Sequence, residues 1–198
     1  MDKFTKVVKT QAQGEKNVDN EIVYSNDYLT LKNKNDWTYV VESDRIIVLP
    51  YVKDEGYVYL RSEVVPPWIE KHQTSSSQMR NTQQFLTVIS GTIEKGEEPA
   101  QTLRRELYEE AGIALNQFFN FDIEGPFFES KGNTSAFYIC LMELSYTDYK
   151  MVTAVGDGTK AEAVAKTLRV SIADLDEIRI NDMATKVLVD KLKHVYNL

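Results

Sequence analysis

Residues 91–113 read GTIEKGEEPAQTLRRELYEEAGI, and no other stretch restricts the fold of this chain as tightly. Gly91 and Gly96 bracket a loop, and Glu97 to Ala111 has helical character. Pro99 suits the first helical turn, Glu97 and Glu98 suit the positive end of the helix dipole, and Gly112 suits the C-terminal cap. Ala100, Leu103 and Leu107 recur at i, i+3 and i+7, an apolar stripe to lay against a core. FLTVIS, just before, reads as a strand.

The polar side of that helix is unusual. Glu106, Glu109 and Glu110 stand at i, i+3 and i+4, so their carboxylates project from one face, roughly opposite the Leu103/Leu107 stripe. Three ionised carboxylates this close repel one another, so removing one is expected to leave stability unchanged or raised. A solvated acidic face is one explanation. The other is a hard divalent cation: Mg²⁺ or Mn²⁺ prefers such oxygen ligands and retains waters for substrate phosphates. Glycine at 91 and 96 lets backbone carbonyls approach the same ions.

Charge and composition leave room for a small anionic ligand, provided a metal ion supplies the positive charge. The net charge is −7, which disfavours nucleic acid or an anionic membrane as a partner, since both demand basic patches. A metal ion would let the same acidic chain accept a phosphate compound. With 198 residues, 42% of them hydrophobic and 27% charged, the chain can bury one sizeable core. Its one cysteine, Cys140, lies in the apolar run AFYICLMEL and reads as a buried strand residue. The two histidines, His72 and His194, lie far from it in sequence, so no thiol–base pair is indicated. A lone cysteine, the absence of a signal-like segment in MDKFTKVVKTQAQGEKN and the lack of any apolar run of about 18 residues point to the cytoplasm.

Along the chain, EIVYSNDYLTLKNKNDWTYVVESD gives short β-rich runs broken by SND and KNKND, a small antiparallel sheet. DRIIVLPYV and YVYLRSEVV, joined by KDEG, read as two core strands. EKHQTSSSQMRNTQQ is a polar surface loop. FDIEGPFFES, SAFYICLMELSY and TLRVSIADL read as further strands, the last entering a short helix. VTAVGDGTKAEAVAK is a flexible stretch. NDMATKVLVDKLKHVYNL is an amphipathic helix capped by Asn181 or Asp182, with Met183, Val187 and Leu192 on its apolar side.

The glutamate spacing is also a known signature. The Nudix box is G-x5-E-x7-R-E-U-x-E-E-x-G-U, with U a bulky aliphatic. Gly91, Glu97, Arg105, Glu106, Leu107, Glu109, Glu110, Gly112 and Ile113 occupy every specified position. The chain therefore resembles the Nudix hydrolase superfamily. The resemblance implies a Nudix α/β/α sandwich, a mixed β-sheet between helices, over residues 45–198. It implies metal-dependent hydrolysis of a nucleoside diphosphate linked to another moiety. Carried over by position, Glu106 and Glu110 are the leading metal ligands, Glu109 joins them directly or through water, and the carbonyl of Ser90 or Gly91 completes the set. Glu97 approaches the site, and Arg105 holds the glutamates by charge-assisted hydrogen bonds.

The flanks are similar to the ADP-ribose pyrophosphatase branch. Residues 1–44 would form its N-terminal β extension, serving dimerisation or substrate contact, and a homodimer is expected. That branch implies ADP-ribose or a related nucleotide sugar as substrate, cut to AMP and a sugar phosphate. Three departures fall where substrate is read: Ile89-Ser90 for the usual Pro-Ala, Val65 for an arginine and Lys131 for a proline. The general base of the branch comes from an acidic loop after the box. Here the comparable loop offers Asp157 and Glu162; otherwise a box glutamate, Glu109 first, must serve. Trp37, Tyr39, Tyr51, Trp68, Phe127 and Phe128 could stack on a base or ribose, though each reads first as packing. The alternatives are a nucleoside triphosphate or RNA 5′-end pyrophosphohydrolase, and a catalytically silent nucleotide-binding module. Which residues bind substrate is not legible in the sequence.

Overall fold

A computed structural model describes residues 21–26, 29–65, 84–156 and 165–196. The first three strands, β1 (Glu21–Ser25), β2 (Thr30–Lys34) and β3 (Trp37–Val41), form an antiparallel sheet in that order. β2 and β3 are joined by Asn35 and Asp36, at φ of 52° and 62°. Asn and Asp tolerate the left-handed region that such a tight hairpin needs.

The main sheet is built on β4 (Arg45–Val52) and β5 (Tyr57–Glu63), an antiparallel pair joined through a turn that ends on Gly56. β6 (Phe85–Thr87) pairs with β5, and β7 (Ile89–Thr92) pairs with β4. Helix α1 (Pro99–Glu109) follows, then β8 (Ile113–Leu115), β9 (Glu124–Phe128), β10 (Ala136–Glu143), β11 (Tyr149–Met151), β12 (Lys166–Ser171) and helix α2 (Met183–Tyr196). The strand order β12-β5-β4-β10-β9, with β6 and β7 alongside, makes a seven-stranded sheet among the described residues. β10 runs parallel to β4 and the other pairs are antiparallel, so the sheet is mixed.

β4 is apolar on both faces because both are covered. Ile46 and Val48 pack with Leu103 and Leu107 of α1 and with Cys140 and Met142. Ile47 and Leu49 pack with Leu188, Val189 and Leu192 of α2. The result is the expected three-layer sandwich. Pro50, which has no N–H to give, sits where β4 passes from its β7 partner to its β5 partner. Cys140 is buried in β10, as expected, and burial pushes its thiol up to about 12.

Several local expectations are corrected. The helix begins at Pro99, not Glu97, because the residue before a proline is held extended; Glu98 has ψ of 149°. Gly91 belongs to β7 rather than to the loop. FLTVIS is two short strands, broken at Val88, whose N–H donates to the Thr185 hydroxyl at 2.9 Å. Ala100 is exposed, and Thr102 takes the buried place beside Leu103. In α2 the inward stripe is Thr185, Leu188, Val189 and Leu192, while Met183 and Val187 are exposed. Asp182 sets this rotation: its carboxylate accepts from the Thr185 N–H at 2.7 Å and from the Thr185 hydroxyl at 2.6 Å.

The N-terminal sheet is stitched to the loop between β9 and β10. The Val40 N–H donates to the Gly132 carbonyl at 2.8 Å, and the Thr134 N–H donates to the Val40 carbonyl at 3.0 Å. The Trp37 indole N–H donates to the Lys131 carbonyl at 3.2 Å, so Trp37 and Lys131 belong to one junction.

Candidate active site

The site lies where β7 runs under α1. At about 3.6 residues per turn, Glu106 and Glu110 fall beside Leu103 and Leu107 rather than opposite them. The carboxylate face therefore borders the buried stripe, which corrects the expectation of two opposed faces. Glu106 is only 8% exposed. Its side chain lies across Gly91, so close that a Cβ there would stand 2.1 Å from Oε1. The site thus needs glycine at 91 for space, not for a special φ.

Arg105 organises the carboxylates. Its Nε donates to Glu97 Oε1 at 3.0 Å, and its Nη2 donates to Glu97 Oε2 and to the Thr92 carbonyl, both at 3.1 Å. Its Nη1 donates to Glu106 Oε1 at 2.7 Å and to Glu109 Oε2 at 3.3 Å. Every guanidinium N–H is thereby used. The surrounding carboxylates push the Arg105 pKa further up. Glu97 moves the opposite way, to about 2, because Arg105 and then the Thr102 hydroxyl bond its ionised form.

Glu110 is held from behind. Arg61 of β5, 4% exposed, places Nε 3.5 Å from Glu110 Oε2 and donates from Nη1 to the Glu110 carbonyl at 2.6 Å. Glu63, 3.9 Å from the same Nε, also accepts from the Thr87 hydroxyl at 2.8 Å. Arg61 was not singled out from the sequence. The signal was present: it shares the inward parity of Tyr57 and Tyr59, and a charge at a core-facing position of a strand demands a partner.

Two cavities open here. An acidic cleft of about 390 Å³ is walled by Glu94, Glu106, Glu109 and Glu110, with Ser90 and Gly91 along its floor. A neighbouring cavity of about 340 Å³ has apolar walls from Ile47, Val65, Phe85, Phe137 and Met183, with Glu63, Glu129 and Asp182 among them. Arg45 and Ser90 line both.

Glu106, Glu109, Glu110, Ser90 and Gly91 are thus brought to one cleft, and Glu97 reaches it through Arg105. Asp157 and Glu162 lie outside the described residues, as do Trp68 and His72. Of the aromatic candidates, Tyr51 packs edge-on against Tyr196 inside the α2 core. Trp37, Phe127 and Phe128 are exposed, and neither they nor Tyr39 line either cavity. Among the described residues Phe85 and Phe137 are the aromatics that do, a placement that strand pairing decides and composition does not show.

The cleft suits a hard divalent ion in its donor set, which is oxygen throughout, and in the bare Cα of Gly91 that admits Glu106. In this arrangement the carboxylates turn toward the two arginines, and among the described residues no three acidic, histidine or cysteine side chains converge on one ion-sized point.

A family model described as the NUDIX domain matches residues 69–185, more than half of the chain. A search of the curated proteins finds no match. Among solved structures, the crystal structure of an ADP compounds hydrolase superposes with a TM-score of 0.61. The superposition covers 95% of this chain and 97% of that one, at 16% identity, and is a likeness of fold.

Proposed function

The chain belongs to the Nudix family and is a Nudix pyrophosphohydrolase; from that premise we propose that it acts on nucleoside diphosphate compounds and that its substrate is ADP-ribose or a closely related nucleotide sugar, split by water into AMP and a sugar phosphate. The observation that carries this reading is the junction of the acidic cleft with the apolar cavity through Arg45 and Ser90. One space suits a diphosphate with its ion, the other a nucleoside. The acidic balance of the chain weighs against an RNA substrate.

In this reading Glu106, Glu110 and Glu109, with the carbonyl of Ser90 or Gly91, would hold Mg²⁺ or Mn²⁺. Such an ion neutralises diphosphate charge and makes its coordinated water acidic near neutral pH. Arg105 keeps Glu106 and Glu109 in place, and Glu97 keeps Arg105 in place. The Glu109 side chain is 38% exposed and bonded to Arg105 only at 3.3 Å. That makes Glu109 the box carboxylate freest to accept the proton of the attacking water; Glu162 is the other candidate. The water oxygen bonds to phosphorus, the anhydride P–O bond breaks, and the departing phosphate carries away the electron pair.

Residues 1–44 form the extension and 45–198 the catalytic domain in this proposal. Exposed Ile22, Val23, Tyr24 and Trp37 on the N-terminal sheet support a homodimer. No helix among the described residues is long and apolar enough to cross a membrane. The single cysteine supports a reducing, cytoplasmic setting.

The test is turnover of ADP-ribose, diadenosine polyphosphates, NADH and nucleoside triphosphates with Mg²⁺ or Mn²⁺, against an EDTA control. ADP-ribose is expected to be hydrolysed, and EDTA to abolish it. Turnover of triphosphates alone would reassign the substrate, and no turnover at all would remove the enzymatic reading.

A further inference from the structure

A diphosphate entering the acidic cleft meets Glu94, Glu106, Glu109 and Glu110, so it needs a positive partner from the protein as well as from any ion. Among the described residues, the basic side chains that line the two cavities are Arg45 and Arg105. Arg105 has no donor left, since Glu97, Glu106, Glu109 and the Thr92 carbonyl take all of its N–H groups. Arg61 is buried behind α1 and engaged by Glu110.

Arg45 differs on each count. It is the first residue of β4, and its side chain is exposed. That side chain makes no hydrogen bond or ion pair with any described residue. Its backbone is fixed from both sides, by Thr92 on β7 and by Phe137 on β10. It lines the apolar cavity and the acidic cleft alike, so a molecule occupying both must pass it. An exposed arginine at a strand end is ordinarily a solvated surface charge. One whose donors meet no described residue, at the junction of two cavities, is placed to take an anion.

We infer that Arg45 is the residue that grips the diphosphate of the substrate, at the boundary between the nucleoside cavity and the acidic cleft; this rests on the pyrophosphohydrolase reading of the cleft. A guanidinium fork matches two phosphate oxygens at once and cannot lose its charge near neutral pH. Because the contact exists before and during the reaction, it contributes to binding more than to the chemical step. Its loss therefore raises KM rather than lowering kcat.

The test uses Arg45→Ala and Arg45→Gln, the second keeping a polar, hydrogen-bonding side chain without charge. With Mg²⁺ and ADP-ribose, KM is expected to rise about tenfold or more in both, with kcat within about threefold of wild type. Calorimetry with ADP-ribose and with AMP in EDTA, which needs no turnover, is expected to show both ligands bound about tenfold more weakly. Melting temperatures should match wild type, since the side chain has no partners among the described residues. If Arg45→Ala melts early, Arg45→Gln decides. Wild-type KM and wild-type affinities in the Gln variant would overturn the assignment while leaving the proposed function standing. A wild-type enzyme that turns over nothing would remove that function instead. In that case the calorimetry still judges Arg45, and equal affinity, or no binding by the wild type, overturns it.

Discussion

A Cβ on Gly91 would lie 2.0 Å from Cγ of Glu106: the bare Cα of the strand and the glutamate of the helix occupy adjoining space with nothing to spare. Gly91→Ala should therefore drive the Glu106 carboxylate out of the cleft. The strain is expected to cost about 1–3 kcal/mol of stability. The misplaced ligand is expected to cost turnover on the order of a hundredfold. Thermal melts and steady-state rates measured on the same preparation check both, and an Ala variant with full activity would show that the position of Glu106 is immaterial.

Glu110→Gln should lower turnover by about a hundredfold or more, on the order of 3 kcal/mol of barrier. Relief of repulsion along the helix alone would leave stability unchanged or raised, but Arg61 reverses the sign. The buried guanidinium loses its carboxylate at 3.5 Å and is left with Glu63 at 3.9 Å. A buried charge that loses its nearer carboxylate while keeping Glu63 and the Glu110 carbonyl is expected to cost about 1–3 kcal/mol. A Gln variant as stable as wild type in urea would show that Arg61 does not depend on Glu110.

The Arg105–Glu97 pair should appear in the acid limb of stability. Hydrogen bonds from Arg105 and Thr102 lower the Glu97 pKa from 4.5 to about 2. A depressed folded-state value means that this stabilisation is present above the unfolded value and fades as pH falls from about 4.5 toward 2. Arg105→Gln removes the cause, so its destabilisation relative to wild type should shrink across that window. Urea midpoints at about pH 6 and pH 3 report the difference. An equal gap at both would mean the pair contributes no pH-dependent stability.

The base can be assigned by comparing Glu109→Gln with Glu162→Gln. Loss of a general base typically costs about a hundred- to ten-thousandfold. If Glu109 serves, its variant loses rate and also binds Mn²⁺ less well, because it shares a face with Glu106 and Glu110. If Glu162 serves, its variant loses rate at saturating Mn²⁺ with metal affinity intact. The expected result is the first. A Glu162→Gln enzyme with less than about a tenth of the normal rate at saturating Mn²⁺ would reassign the base.

Much of this molecule was legible before folding. Near-continuous apolar runs marked β4, β5 and β10, because strands covered on both faces have little tolerance for polar residues. Reading apolar residues alone misplaced the α2 stripe, since Thr185 is inward for its hydrogen bonds to Asp182 and to the Val88 N–H. It likewise hid Arg61, whose burial makes sense only once Glu110 stands in front of it.

The sequence by itself determined the Nudix membership and the strand–loop–helix that carries the carboxylates, because both rest on local spacing, and its likeness to the Nudix box pointed to Arg105 as their organiser. Only the tertiary structure decided that Glu106 lies over Gly91, that Arg61 stands behind Glu110, and that Arg45 lines both cavities with no partner among the described residues. Each of those joins residues brought together by strand pairing and by the docking of α1 on the sheet. Such contacts depend on register and rotation between elements, which local spacing does not encode.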